Sequence, residues 1–292
     1  MQTAPRPRRS VLYVPATNDK ALAKIASLAC DAVIFDLEDA VAPEEKVTAR
    51  RSLVRFLSEA GRADKEFVIR INALAGEWGR DDLEAARALR PDAILLPKVD
   101  TPGDILEAND ILDAAEVPPE LALWAMVETP RAVLNLGPIA ELGRDRGARL
   151  ACLVVGTNDL VKETGISPAG GRQWLVPWLL QIVLAARAGG LDALDGVSND
   201  FRDLDAFARE CLQGAAMGFD GKTLIHPAQI GAANAAFSPS GDAVAEAERI
   251  VAAFATPENA GKGVIQADGR MIERLHLDQA RKLLARAGRG QA

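Results

Sequence analysis

Two carboxylates stand at the downstream ends of consecutive apolar runs. The run ALWAMVETP, residues 122–130, delivers Glu128, and the run ACLVVGTNDL, residues 151–160, delivers Asp159. Mg²⁺ takes hard oxygen ligands, whereas Zn²⁺ prefers His and Cys, and this chain has only 2 His and 3 Cys. If the two runs are neighbouring strands, the pair of acids predicts a Mg²⁺ site. A single acid would instead be expected to cap the next helix or to pair with a cation.

Polar residues also follow the other apolar runs. They are Tyr13, Asp36, Glu38, Asp39, Arg70, Asn72, Lys98, Asn158 and His226. The acids of the DLED segment, residues 36–39, repel one another, and direct binding of all three would overcrowd one Mg²⁺. We therefore expect Asp36, Glu38 and Asp39 to brace Arg70 and Lys98 beside the metal. Holding metal-bound waters is the alternative role for these acids.

Eight short runs rich in Val, Ile and Leu alternate with helical patterns. They cover residues 10–16, 31–39, 66–72, 92–99, 121–129, 150–158, 191–199 and 221–227. Continuous apolar runs are typical of parallel strands that are buried on both faces. Eight such strands in a chain of this length predict an α/β fold, the (β/α)8 TIM barrel, whose active site lies at the downstream strand ends. An open doubly wound sheet is the alternative, but no glycine-rich phosphate loop follows the first run.

The flanking segments differ from the repeated unit. Residues 1–9 are predicted to form a flexible arm, and residues 10–238 the barrel. Residues 239–292 contain a helix, a hairpin with Asp268-Gly269 at its turn, and a last helix. This C-terminal extension is too small to fold alone. We expect it to serve as a lid or an oligomerisation segment.

Composition excludes several classes of protein. A net charge of -7 argues against nucleic acid or an anionic membrane as the main partner. No apolar stretch is long enough to span a bilayer, and the basic N-terminus lacks the apolar segment of a secretory signal. The cysteines, Cys30, Cys152 and Cys211, have no CxxC spacing. They are expected to be small buried hydrophobes in a cytoplasmic protein.

A series of motifs resembles a known family. The segments are RRSVLYVPATNDKALAKIASLACDAVIFDLEDAV, RIN, LPKV, VETP, GTNDL and GKTLIHPAQI. From Arg9 to the C-terminal helix, the chain resembles the CitE-like branch of the HpcH/HpaI aldolase and citrate lyase family. That branch includes citrate lyase β subunits, malyl-CoA lyases and citramalyl-CoA lyases. The resemblance implies a barrel in a homotrimer or a hexamer, with the C-terminal segment reaching a neighbour's active site.

The resemblance also implies roles for individual residues. Glu128 and Asp159 would hold Mg²⁺, Arg70 would bind the thioester oxygen, and Glu273 would transfer a proton. Contacts to the acyl-CoA would come from Tyr13, Lys20, Lys24 and backbone groups near Ile225 and His226. For the two lysines the alternative is a solvated helix face. For Tyr13 it is a buried ring with a bonded hydroxyl, and for His226 a structural role is favoured over base catalysis.

The chain departs from the family pattern at three positions. Asn158 stands where the family often has an acid beside the metal ligand, and Ala16 where many members have Gly. Glu273, in RMIER, stands where lyases of this group commonly have the aspartate of a MID motif. Compared with an aspartate, the extra methylene of a glutamate moves the carboxyl by about 1 Å or more, and such a displacement can slow proton transfer.

The function that the sequence predicts is a Mg²⁺-dependent carbon–carbon lyase. Its ligands would be a CoA thioester, such as malyl-CoA or citramalyl-CoA, and a 2-oxo acid. One alternative is an HpcH-type pyruvate aldolase that does not use CoA. The other is a non-catalytic CitE homologue that binds CoA or a metabolite.

Overall fold

The structure, a computed structural model, describes residues 6–59, 65–167, 169–267 and 269–287 of the 292-residue chain. Eight parallel strands close into a barrel in chain order, with the last strand paired to the first. The strands are β1 Ser10–Pro15, β2 Ala32–Asp36, β3 Glu66–Arg70, β4 Ala93–Leu96, β5 Ala122–Val127, β6 Leu150–Val155, β7 Asp192–Asp195 and β8 Gly221–Leu224. The predicted TIM barrel is confirmed, and the open doubly wound sheet is excluded.

Helices connect the strands of the barrel. They are α1 Asp19–Leu22, α2 Lys46–Glu59, α3 Gly79–Leu89, α4 Pro102–Ala114, α5 Pro130–Leu134, α6 Leu136–Glu141, α7 Thr157–Thr164, α8 Val176–Gly189, α9 Leu204–Met217 and α10 Ile230–Phe237. The sequence DKALAKIASLA, residues 19–29, has the pattern of one continuous helix. In the structure α1 ends at Leu22, and a 3-10 turn follows at Ile25–Ser27. The Ser27 hydroxyl donates to the Lys24 carbonyl at 2.8 Å, a local bond that competes with helical pairing.

Two apolar layers explain why the strands lack an alternating pattern. On β2, Ala32 and Ile34 belong to the cluster inside the barrel, which Trp124 fills from β5. Val33 and Phe35 belong to the larger cluster between the strands and the helices. Both faces of each strand are therefore buried, and hydrophobic side chains are needed at successive positions. Polar side chains are consequently confined mainly to the strand ends.

Two arginines that precede β1 form ion pairs with residues of the barrel. Arg8 donates to Glu66 at 2.7 Å and to Asp192 at 2.6 Å, and its guanidinium lies 4.7 Å from the Trp124 ring centroid. Arg9 is paired with Asp31 at 2.8 Å. Arg8 and Arg9 are therefore tied to the barrel, residues 1–5 lie outside the described residues, and the flexible arm over residues 1–9 stays a prediction. Ion pairs between distant residues leave no local signal in the sequence.

The residues from Ser238 onward belong to a second compact unit. It contains α11 Gly241–Ala255, β9 Val264–Ala267, β10 Arg270–Glu273 and α12 Arg274–Arg286. The predicted helix, hairpin and last helix are confirmed, since β9 and β10 pair antiparallel. Gly269 has the positive φ of +74° that the turn needs. Asp268 lies outside the described residues, and the role as a lid or subunit contact stays a prediction.

Two expectations from composition can be checked directly. Among the described residues, no helix combines the length and the apolar character that a bilayer crossing requires. Cys30, Cys152 and Cys211 are all buried free thiols. The prediction that the cysteines act as small hydrophobes in the core is confirmed.

Candidate active site

The acidic turn after β2 is bonded to a buried arginine on β3. Asp36 and Arg70 are register partners at the ends of these strands. Arg70 Nε and Nη2 donate to the two carboxylate oxygens of Asp36 at 2.7 and 2.5 Å. The same oxygens accept the backbone N–H groups of Glu38 and Ala40 at 2.9 and 3.2 Å. Asp36 therefore closes the turn and fixes the guanidinium plane at once.

Glu38 bridges two cations that come from different strands. One carboxylate oxygen contacts Arg70 Nη1 at 2.8 Å, and the other accepts from Lys98 Nζ at 2.8 Å. Asp39 is more exposed and lies 3.5 Å from Arg70 Nη1. The structure thus brings the three acids of the DLED segment onto Arg70 and Lys98, with the contacts that the predicted bracing role requires. The role itself stays a prediction.

Glu128 follows β5 and is completely buried, with 0% of its surface exposed. One carboxylate oxygen, Oε1, accepts the backbone N–H of Lys98 at 2.6 Å. The other, Oε2, has no hydrogen-bond partner among the described residues. A Cβ at Gly156, which follows the neighbouring strand β6, would lie 2.6 Å from Oε2. Glycine at position 156 therefore lets the backbone approach the Glu128 side chain, where any larger residue would clash, and the unsatisfied buried oxygen demands an explanation.

The backbone of Lys98 is shaped to make the contact with Glu128. Lys98 has a φ of +49°, in the left-handed region that non-glycine residues seldom occupy. This conformation sends its N–H to Glu128 and its ammonium to Glu38. Burial opposes the ammonium charge, but the bond to Glu38 raises the pKa of Lys98 above its ordinary value. Strain of this kind persists where the surroundings fix it, often at functional sites.

Asp159 lies in the first turn of α7 and is half-buried. Its carboxylate makes no hydrogen bond or ion pair with any described residue. Burial raises the pKa of Glu128 to about 7, and the charges of Glu38 and Asp159 contribute to this rise. The two acids are therefore close enough to repel each other, as expected for ends of paired strands.

Tyr13 lies inside the mouth of the barrel. The Arg70 guanidinium is 5.0 Å from its ring centroid, and its hydroxyl is 3.9 Å from Met126 Sδ. Burial raises the pKa of this phenol, so it stays protonated at neutral pH. This placement matches the alternative of a buried ring, with only a weak sulfur acceptor for the hydroxyl. The predicted contact with acyl-CoA stays a prediction.

The loop after β8 is held by a glutamine that sequence reasoning missed. Gln229 Oε1 accepts the N–H groups of Ile225 and His226 at 3.0 and 3.2 Å, and its Nε2 donates to the Ser198 carbonyl at 3.1 Å. The two amides expected to seat the thioester are therefore already bonded. His226 Nδ1 accepts the Ala228 N–H at 3.1 Å, which supports a structural histidine. The HPAQ segment, with Gln three residues after His, carries a capping-box signal that could have identified Gln229.

The remaining predicted residues lie at the surface. Lys20 and Lys24 are exposed. Asn158 forms a reciprocal amide pair with Asn199 at 3.3 and 2.8 Å, which ties together the loops after β6 and β7. Glu273 belongs to the second unit, where it is exposed and caps α12, with its N–H donating to His276 Nδ1 at 3.0 Å. The predicted role of Glu273 in proton transfer stays a prediction.

A known protein family matches the sequence of this chain over the barrel. The family model described as HpcH/HpaI aldolase/citrate lyase matches residues 9–227, which is most of the chain. The chain belongs to this family. The family resemblance seen in the motifs is therefore confirmed.

Relatives within the family differ in the reaction that their names give. A (3S)-malyl-CoA thioesterase from Cereibacter sphaeroides is 48% identical over 96% of this chain and 95% of its own length. The mitochondrial citramalyl-CoA lyase of Rattus norvegicus is 35% identical over 96% of this chain and 86% of its own length. Citrate lyase subunit beta of Escherichia coli is 35% identical over 98% of this chain and 95% of its own length. The chain is thus related to enzymes of CoA-linked chemistry, both hydrolytic and carbon–carbon cleaving.

A solved structure with high coverage contains a metal. CitE from Mycobacterium tuberculosis, in complex with magnesium, acetoacetate and coenzyme A, has a TM-score of 0.75 and 31% identity. The match covers 97% of this chain and 98% of that chain. Another structure of that protein contains magnesium and pyruvate, with a TM-score of 0.68 and 30% identity, over 82% of this chain and 94% of that one.

The residues of this HpcH/HpaI family member fit a Mg²⁺ ion. Within the described ranges, no group of three or more His, Cys, Asp and Glu side chains forms a complete metal cage. Mg²⁺ commonly binds one or two carboxylates and keeps waters or substrate oxygens for the rest of its shell. Among the described residues, Oε2 of Glu128 and the carboxylate of Asp159 have no protein partner, and they are oxygen ligands of the kind that such a site would need.

Proposed function

We propose that this protein is a Mg²⁺-dependent enzyme that acts on a β-hydroxyacyl-CoA such as (3S)-malyl-CoA. The observation that carries the proposal is the unsatisfied buried Oε2 of Glu128 beside Asp159, in a barrel mouth that also presents Arg70. Leaving a buried carboxylate oxygen without a partner costs stability. A bound cation would supply the missing partner. The relationship to CoA-linked enzymes supports this substrate class.

Glu128 and Asp159 would hold the metal ion. When bound, Mg²⁺ would act as a Lewis acid toward oxygens of the substrate's hydroxyl and carboxylate. Glu128 is positioned for this by the Lys98 N–H, which fixes Oε1 and leaves Oε2 without a partner among the described residues. The side chain is fully buried, and burial strengthens the attraction of a carboxylate for a cation.

Arg70 would bind the thioester oxygen. Three of its five N–H donors make short contacts with Asp36 and Glu38. The other contacts of Nη1 are long, 3.5 Å to Asp39 and 3.7 Å to Met126 Sδ. Donors remain for a carbonyl oxygen on which negative charge develops, and the paired carboxylates hold them in place beforehand.

Hydrolysis of the thioester is the reaction that we favour. The 48% identity to a (3S)-malyl-CoA thioesterase over nearly the whole of both chains supports it. Carbon–carbon cleavage, the reaction predicted from the sequence, is the second candidate, supported by the lyases at 35% identity. Cleavage leaves an enolate carbon that must be protonated, and Glu273 places its carboxyl differently from the aspartate expected in lyases. Hydrolysis needs no such protonation.

The products distinguish the two reactions. Malyl-CoA with Mg²⁺ should give malate and free CoA if the thioester is hydrolysed, or acetyl-CoA and glyoxylate if the carbon–carbon bond breaks. Chromatography of both CoA species measures the ratio. Turnover of free acids with no CoA requirement would support the pyruvate aldolase instead. Binding of CoA without turnover of malyl-CoA or citramalyl-CoA would support the non-catalytic homologue.

Glu273 provides a second test of the reaction. Glu273→Ala should lower the kcat of carbon–carbon cleavage by about 100-fold or more while hydrolysis persists. Assembly into homotrimers or hexamers stays a prediction. Mixing Glu273→Ala chains with Glu128→Gln chains tests it, because a mixed oligomer would contain active sites in which both residues are intact. Recovery of cleavage in mixed oligomers would place Glu273 in a neighbour's site. No recovery after verified subunit exchange, or full cleavage in Glu273→Ala alone, would remove it from the reaction.

A further inference from the structure

A buried lysine lies behind the acidic turn, and no step of the proposed function uses it. Lys46, the first residue of α2, is only 6% exposed. Its ammonium donates to the carbonyls of Leu37 and Glu38 at 3.0 and 2.7 Å and to Asn72 Oδ1 at 2.8 Å. The three N–H donors of the ammonium are therefore all used. All three acceptors are neutral oxygens.

The absence of a direct carboxylate partner makes Lys46 unusual. Within the described residues, no Asp or Glu oxygen lies within 4.0 Å of its nitrogen. Burial lowers the pKa of Lys46, while the carboxylates of Glu38, Asp36, Asp82 and Asp39 oppose that change from further away. A buried ammonium held this way contributes little to stability compared with an apolar side chain of similar size. A role in shaping the site explains its presence better than a role in stability.

Lys46 connects the two loops that carry the paired charges. Leu37 and Glu38 follow β2, and Asn72 follows Arg70 by two residues at the end of β3. Asn72 is fixed from its other side, because its backbone N–H and Nδ2 both donate to Asp82, at 3.0 and 2.5 Å. Asp82 is in turn paired with Arg50 at 2.8 Å. The Glu38 carbonyl is thus connected through Lys46 and Asn72 to the ion pair between Arg50 on α2 and Asp82 on α3.

We infer that Lys46 is a positioning residue that sets the orientation of Glu38 and, through it, of Arg70 and Lys98. This inference rests on the proposed function, because it assumes that Arg70 faces the reacting thioester. Lys46 holds the Glu38 carbonyl, and the Glu38 side chain bridges the two cations. Asp36 would still close the turn and hold one side of Arg70 after loss of the ammonium, but the Glu38 carboxylate that contacts Arg70 Nη1 and Lys98 would lose the support of its main chain. A displacement of about 1 Å can cost about 100-fold in rate.

Lys46→Met tests this role, with Arg51→Met as the matched control. Arg51 lies on the same helix and is exposed. Lys46→Met should lower kcat for malyl-CoA by about 10- to 100-fold, while KM and Mg²⁺ affinity by calorimetry change less than about threefold. The control should match the parent in all three. Parent protein that turns over no CoA thioester would refute the proposed function, whereas an active parent with unchanged kcat in Lys46→Met would refute the positioning role.

A double variant separates positioning from general loosening of the fold. If Lys46 acts through Glu38, Lys46→Met combined with Glu38→Gln should be no slower than the slower single variant. A double variant whose fold-loss in kcat equals the product of the two single losses would overturn the inference. If Lys46→Met fails to fold, Asp82→Ala tests the same support, because it removes both hydrogen bonds from Asn72 and leaves the ammonium in place. Asp82→Ala should then lower kcat without changing Mg²⁺ affinity, and an unchanged kcat would likewise refute the role.

Discussion

Two groups of acids at the mouth of the barrel differ in how they are satisfied. The acids after β2, Asp36 and Glu38, are fully paired with Arg70, Lys98 and backbone N–H groups. In the part of the chain that the structure describes, Oε2 of Glu128, after β5, is buried without a partner, and the carboxylate of Asp159, after β6, contacts no hydrogen-bonding or charged group. Chemically similar side chains therefore have opposite environments on one barrel.

The difference indicates which acids serve the protein and which serve a ligand. Paired carboxylates orient cations and close a turn, so their charge is already used within the fold. Unpaired buried carboxylates are costly, and a cation from solution can remove that cost. Burial raises the pKa of Glu128 to about 7, and burial also raises the pKa of Glu38 above its ordinary value, although Arg70 and Lys98 oppose that rise.

The largest effect is expected at the unpaired acids. Glu128→Gln and Asp159→Asn should each weaken Mg²⁺ binding by about 100-fold or more and reduce turnover of malyl-CoA correspondingly, because each removes one of two protein ligands. Titration calorimetry measures the affinity. Glu163→Gln, an exposed acid on the same helix as Asp159, is the control and should bind Mg²⁺ normally. Normal affinity in both ligand variants would show that the metal site lies elsewhere.

The paired acids should matter for stability instead. Asp36→Ala leaves the buried Arg70 without its two shortest bonds and should lower the free energy of unfolding by about 3–5 kcal/mol. Asp159→Ala should change it by less than about 0.5 kcal/mol, since it breaks no protein contact. Urea denaturation in the presence of a chelator measures both. Equal losses in the two variants would contradict the contrast between the groups.

The sequence predicted the barrel more completely than the site. The eight apolar runs and the polar residues after them determine strand order and which residues meet, because the ends of parallel strands share one face. Pairing among those residues depends on three-dimensional contacts that no local pattern encodes. Lys46 resembles any lysine on a helix surface, and the left-handed backbone of Lys98 has no glycine to signal it. The hydrogen bonds from the Ile225 and His226 amides to Gln229 likewise depend on the folded loop and were not predicted.

The pH dependence of stability sharpens the contrast at Glu128. Its pKa is about 7 in the folded protein against an ordinary value of 4.5, so the folded state holds the proton more tightly. Metal-free protein should therefore lose stability as pH rises from about 4.5 through about 7, by up to about 3 kcal/mol from this group. Glu128→Gln should remove that loss and unfold at a higher temperature than the parent at pH 8. Identical melting curves for the two proteins at pH 8 would show that burial imposes no such cost.

The smallest effect is expected from the exposed lysines. Lys20 and Lys24 are exposed like ordinary surface cations, and water solvates their charges, so they do not need a ligand in the way that the buried oxygen of Glu128 does. If they meet CoA phosphates, replacing both with Ala should raise KM for malyl-CoA by about 3- to 10-fold at low salt. The difference should shrink as salt is added, because exposed charges are screened. Steady-state kinetics at two ionic strengths measure this, with Arg80→Ala and Arg144→Ala, two cations 66% and 65% exposed, as a control of equal charge. An equal rise of KM in the control would assign the effect to net charge alone, and no rise in either would assign the lysines to a solvated surface.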